Sequence, residues 1–168
     1  KRFTYKEVKE ILDGKAKSPF HSKLKLMMKL CHILQKKRHE RGSVQLALPE
    51  LIVRINEQGE PTGTELIEYD ISHQIVEEFM LKANEIVAIE LSRRGKDLTY
   101  RVHEEPSSES LQDFATLVSA FGYKIPPHPE PKDIQKLFLD IENTRHAPFL
   151  SVCYIRSMRL ACYSPDNI

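Results

Sequence analysis

Two adjacent carboxylates, Glu77 and Glu78, stand in the middle of the stretch ISHQIVEEFMLKAN, residues 71–84. Paired carboxylates can divide acid and base roles between them. On a helix of about 100° per residue, however, adjacent side chains diverge by about 100°, which argues against that chemistry here. With Ile75 set at zero, Val76, Phe79, Met80, Ala83, Ile86 and Val87 fall in one apolar arc between about 20° and 140°, the expected core face. Glu78 falls near 300°, beside Lys82 and Glu85, and reads as a surface residue able to pair with Lys82 at i, i+4. Glu77 falls near 200°, on a quieter flank with His73, Leu81, Asn84 and Ala88. A carboxylate there is either half of a His73–Glu77 helix pair or a partly buried group in use.

Other constellations for catalysis are absent from the sequence. There is no GxSxG and no P-loop, and six glycines are too sparse for a phosphate cradle. No DxD-type cluster is present to hold two metal ions. His103, in YRVHEE, is a candidate acid, base or phosphate contact, and equally a hydrogen-bonded residue at a strand end. Cys31, Cys153 and Cys162 are odd in number and form no CxxC pair. They argue against a disulfide framework and for a reducing, cytoplasmic setting, as small buried apolar groups rather than zinc ligands.

The charge is close to balanced, at +1 over 168 residues, but it is unevenly spread. His21 to Arg41 carries seven basic residues against Glu40 alone, so that segment is +6 and the remainder −5. On a helix from about His21 to His39, Lys25, Lys29, His32 and Lys36 form a polar strip without an acid. Leu24, Leu26, Met27, Met28, Leu30, Cys31, Ile33 and Leu34 form a broad apolar arc on the same helix. The strip is compatible with phosphate binding, although a charge run on a helix is most often a solvated face.

The elements that position these groups follow from pattern and punctuation. A short helix is expected at Tyr5 to Leu12, stopped at Gly14, with Ser18 and Pro19 opening the next. LIVRINEQGEPTGTELIEYD reads as an antiparallel hairpin around a Gly- and Pro-containing turn. A long helix, Ser72 to Arg93, ends before Gly95. LTYRVHEEP reads as a strand with Leu98, Tyr100 and Val102 on one face. A helix from Pro106–Ser108 to Gly122 and two more, near 131–142 and 147–162, complete the chain. The expected class is α+β, mostly helical with one small antiparallel sheet. With 40% hydrophobic and 29% charged residues the composition is that of a globular domain. No apolar run approaches the ~20 residues of a membrane span. The opening KRFTYKEVKE has no apolar leader, and the ends read as those of a piece of a longer protein.

Several stretches carry a family resemblance: RFTYKEVKEILDG, KKRHERGSVQLALPE, IVEEFMLKANEIVA, YRVHEEP and RSMRLACYSPDNI. In this order and spacing the chain resembles the middle of the RNB catalytic domain of the ribonuclease II and ribonuclease R exoribonucleases, and within them the ribonuclease R branch. The resemblance implies processive hydrolysis of single-stranded RNA from its 3′ end to nucleoside 5′-monophosphates, with Mg2+ held by an aspartate cluster. It implies that residues 1–168 are the central portion of such a domain. Tyr5 matches a family tyrosine near the terminal nucleotides. Glu77 matches a glutamate implicated with it in preferring ribose over deoxyribose, since a carboxylate can accept a hydrogen bond from a 2′-OH. Leu46, in VQL, stands where many members carry a base-clamping Phe, and it offers no π face. The family's aspartate ligands, its downstream arginine segment and its flanking cold-shock and S1 domains have no match in this chain. The resemblance therefore implies RNA-channel residues without catalytic or metal-binding ones, and a chain inactive by itself. The alternative is a non-catalytic α+β module that binds RNA or a protein through Lys25, Lys29 and Lys36.

Overall fold

The computed structural model describes every residue except Gln45, Ala47, Pro49, Glu50, Glu68 and Ile168. The elements, in chain order, are α1 (Tyr5–Leu12), α2 (His21–Glu40), β1 (Leu51–Ile55), β2 (Pro61–Leu66), α3 (Ile71–Arg93), β3 (Tyr100–Val102), α4 (Ser108–Ala120), α5 (Pro131–Ile141), α6 (Ala147–Ser157) and β4 (Cys162–Ser164). They form two compact units. One comprises Lys1–Lys37 and Pro49–Val87, the other Arg38–Leu48 and Ala88–Ile168. The expected α+β class, mostly helical with little sheet, is what the fold shows.

In the first unit, α1 begins with a reciprocal cap. Thr4 Oγ1 accepts from the Glu7 backbone N–H at 3.2 Å, and the Thr4 N–H donates to Glu7 Oε2 at 2.7 Å. That bond holds the Glu7 carboxyl below its ordinary range. Ser18 Oγ accepts from the Phe20 N–H in the turn that leads into α2. β1 and β2 pair antiparallel, with Val53 opposite Thr64 and a bulge at Arg54–Ile55. Asn56 Oδ1 builds the connecting turn by accepting from the N–H groups of Gln58 and Glu60. Arg54 pairs with Glu65 across the strands. Among the described residues, the buried ones of this unit are Ile11, Leu24, Cys31, Ser72, Ile75 and Glu78.

That set corrects the expected core face of α3. The covered stripe is Ser72, Ile75 and Glu78, spaced i, i+3 and i+6, centred on Ile75. Val76, Met80, Ile86 and Val87, placed in the core by the apolar arc, are exposed. Glu78, read as a surface partner of Lys82, is 3% exposed. Lys82 instead bonds Glu85 at 3.0 Å. A helical wheel finds where apolar side chains cluster, but the neighbouring element decides which stripe is covered. Here a Gln35–Gln74 side-chain hydrogen bond of 3.2 Å ties α3 to α2 beside Ile75. The apolar arc of α2 is likewise only partly used: Leu24 and Cys31 are buried, while Leu26, Leu30 and Ile33 are exposed.

The second unit has the larger core. Phe114, Val118, Ile134, Leu137, Phe138, Ile141 and Leu150 are buried together, drawn from α4, α5 and α6. Tyr154 sets its ring 5.3 Å from both Phe114 and Phe138, and burial pushes its phenol up from its ordinary pKa. Gln135 Nε2 donates to the carbonyls of His39 and Ser43, both at 2.9 Å, satisfying acceptors where α2 ends. Gly42 follows with φ 92°, and a Cβ there would lie 3.3 Å from Pro131 Cβ, so glycine is needed both for conformation and for space.

The C-terminal helix was expected to continue to about residue 162. It ends at Ser157, and Cys162–Ser164 forms a strand paired antiparallel with β3, Val102 opposite Cys162. The chain therefore has a second two-stranded sheet. A three-residue strand whose partner lies 60 residues earlier leaves almost no periodic signal of its own.

The start of α3 is fixed by Asp70. Its carbonyl accepts from the N–H groups of His73 and Gln74, and its Oδ1 accepts from the Ser72 N–H at 2.9 Å. Burial raises the pKa of this carboxyl, but hydrogen bonds from Ser72 and His73 outweigh it and leave the net value below the ordinary range. Asp70→Ala is expected to lower the stability of the first unit by about 1 kcal/mol in chemical denaturation at neutral pH. The carboxyl ionises below its unfolded value of about 3.9. The stabilisation is thus fully present above that value and disappears as pH falls through the folded one. Wild type and variant should converge in acid; an undiminished difference well below pH 3 would contradict this role for the carboxylate.

Candidate functional site

Tyr5, Glu77 and the lysine strip all belong to the first unit. Tyr5 is the first residue of α1, immediately after the Thr4 cap, and its side chain is about half exposed. Its ring stacks on the imidazole of His73, with centroids 4.0 Å apart and planes 24° from parallel. Tyr69, also half exposed, brings its ring to 5.7 Å from the same imidazole. Glu77 lies one helical turn after His73, within about 40° of it around α3, and is half-buried. One side of the start of α3 thus gathers two phenol rings, an imidazole and a carboxylate.

Asp70 organises this group. Besides the Ser72 N–H, its Oδ1 takes the Ser72 hydroxyl and lies 3.1 Å from His73 Nδ1. The Asp70 carboxylate only accepts, so this contact is a hydrogen bond in the tautomer that carries its proton on Nδ1; in the other tautomer the same nitrogen accepts from the Asp70 backbone N–H, 3.4 Å away. Side-chain exposures of 21% for His73 and 17% for Asp70 keep the contact largely out of water. Ser72, at 2% exposed, is the buried end of the network. The sequence presents His73 as a helix partner of Glu77 and gives Asp70, Ser72 and Tyr69 no role in a site. The available signal was an Asp directly before a periodic helical run, which marks an N-cap and hence a side chain held in place.

Lys25, Lys29 and Lys36 are exposed along α2, as the strip requires. Leu46 belongs to the second unit and packs, half-buried, against its core beside Val44. His103 is exposed in the second unit, directly after β3, with Nδ1 3.4 Å from the Arg159 carbonyl oxygen. Arg159 pairs with Glu104, so this imidazole sits on a tether between β3 and the segment that leads to β4. A cleft in the same unit is lined by His39, Ser43, Gln135, Glu142, Thr144 and Ser151 among others, and contains none of the anticipated residues.

Among the described residues no three His, Cys, Asp or Glu side chains converge as a metal-ligand set. No helix among the described residues is long and apolar enough to cross a membrane. All three cysteines are free thiols; Cys31 is buried and Cys162 exposed.

Comparison with known proteins gives this arrangement its context. Ribonuclease R of Aquifex aeolicus is 37% identical over 174 residues, covering 99% of this chain and 25% of that protein. The solved structure of Mycoplasma genitalium RNase R in complex with ribose methylated single-stranded RNA superposes with a TM-score of 0.93 at 24% identity, over 99% of this chain and 27% of that one. The same enzyme in complex with double-stranded RNA gives 0.90 at 25% identity, over 98% and 31%. The chain thus spans about a quarter of the length of the relatives it matches. The two long helices, the hairpin between them and the helical second unit share their fold with these enzymes. Since the RNB domain family matches residues 1–168, from before Tyr5 to beyond β4, this chain belongs to the RNB domain family.

Proposed function

We propose that this chain is the central portion of the catalytic domain of a processive 3′→5′ exoribonuclease that hydrolyses RNA to nucleoside 5′-monophosphates. Within it, the chain contributes RNA-channel and ribose-recognition residues. The observation that carries the reading is local: Tyr5 stacks on His73, one turn before Glu77. The two residues that the family pattern associates with the RNA 3′ end therefore share one side of α3. The uncovered apolar arc at Val76, Met80, Ile86 and Val87 supports the reading of a portion that packs against further chain. The longer protein would add the remaining RNB segments, cold-shock and S1 domains, and the aspartates that hold Mg2+. Free thiols suit a cytoplasmic location.

The chemistry follows from the groups. A ribose 2′-OH donates a hydrogen bond to the Glu77 carboxylate; a deoxyribose has no donor to offer it. Tyr5, half exposed and backed by an imidazole, offers a flat apolar face and a phenol to the terminal nucleotides. Lys25, Lys29 and Lys36 contact backbone phosphates of single-stranded RNA electrostatically, without sequence preference. Leu46 in place of an aromatic clamp, and His103 on its tether, are weaker RNA contacts.

In the full-length protein, Glu77→Ala should lower the preference for an RNA over a DNA 3′ end by roughly ten- to a hundredfold, the range expected for a hydrogen bond to a charged group. Relative kcat/KM on matched oligonucleotides measures it, and unchanged selectivity would remove Glu77 from ribose recognition. The 168-residue chain incubated with Mg2+ and labelled RNA should release no nucleoside monophosphate. Robust metal-dependent turnover would show that the active site is misassigned. Replacing Lys25, Lys29 and Lys36 together with Gln should weaken single-stranded RNA binding and flatten its log–log salt dependence by about 2. An unaltered salt slope would return the strip to an ordinary solvated face.

A further inference from the structure

Tyr5 stands at the first position of a helix of eight residues, and the Thr4–Glu7 cap fixes its backbone but not its ring. The ring is positioned by His73, whose imidazole lies nearly parallel to it at 4.0 Å. The imidazole is itself oriented at Nδ1, which faces Asp70 Oδ1 at 3.1 Å, and that carboxylate is anchored by the Ser72 N–H at 2.9 Å. Tyr69 meets the same imidazole at 5.7 Å. The order of dependence runs from the helix cap to the carboxylate, to the imidazole, to the exposed phenol.

We infer that His73 is a positioning residue for RNA 3′-end selection, holding the Tyr5 ring one helical turn from Glu77 so that both meet the same terminal nucleotides. The inference rests on the proposed ribose reading of Tyr5 and Glu77. It adds that selectivity requires a flat ring at position 73, stacked on the Tyr5 ring, although His73 need not touch the RNA. A packing role alone would predict only a loss of stability, equal for RNA and DNA ends.

The test is a set of variants of the full-length protein, compared by kcat/KM on an RNA and on the same RNA with 2′-deoxy residues at its 3′ end. His73→Asn keeps a donor toward Asp70 but removes the stacking face. It should lower the RNA preference by about three- to tenfold, the scale of one aromatic contact. Tyr5→Ala should lower it by a similar factor, and the double variant no further, because both changes break one contact. His73→Phe keeps a flat ring without the Asp70 bond and should retain most of the selectivity, which separates ring stacking from damage to the fold. Native selectivity in His73→Asn, or multiplying effects in the double variant, would overturn the inference. If Tyr5→Ala and Glu77→Ala both leave selectivity native, the underlying ribose reading fails instead, whatever His73 does.

Discussion

The carboxylate of Asp70 is the constraint on which the candidate site depends. It closes the first turn of α3 through the Ser72 N–H and takes the Ser72 hydroxyl. It also faces His73 Nδ1. A single acidic side chain thereby sets where the helix starts and how the imidazole at its third position is turned. A helix begun one residue earlier or later would rotate His73 and Glu77 together by about 100° and carry both away from Tyr5. A side chain carried on a long helix, with its direction fixed at the cap, is held more exactly than one on a loop.

The two glutamates of the central motif illustrate how position decides role. Glu77 lies half-buried on the side that Tyr5 and His73 share. Glu78, its neighbour in sequence, is buried in the stripe with Ser72 and Ile75. A wheel correctly separates the two by direction but assigns the wrong environment to Glu78. Amphipathic patterning assumes that an apolar arc is covered, and on α3 the arc at Val76, Met80, Ile86 and Val87 is open. Sequence periodicity is silent about which neighbour approaches and from where, and on this helix the neighbour lies about 60° to 80° away from the apolar centre.

What was legible follows the same logic. α1 and α3 were readable to within one residue because a glycine stops each of them: Gly14 at φ 77° after α1 and Gly95 at φ 59° after Arg93. The hairpin was readable from its turn residues, and Val102 and Tyr100 from alternation. β4 was not, because it is three residues long and pairs with β3, about 60 residues earlier in the chain. Of the site, the types and helical phase of His73 and Glu77 were visible. The Tyr5–His73 stack was not, since it joins residues 68 positions apart and no local rule pairs them.

The most direct measurement is an experimental structure of the full-length protein with a single-stranded RNA bound through its 3′ end. A Glu77 carboxylate oxygen should lie within about 3 Å of a ribose 2′-OH, with the Tyr5 ring against a terminal nucleotide and its other contact still on His73. A bound 3′ end whose 2′-hydroxyls are held by other groups, with Glu77 and Tyr5 facing away from it, would contradict the assignment of this helix to ribose recognition.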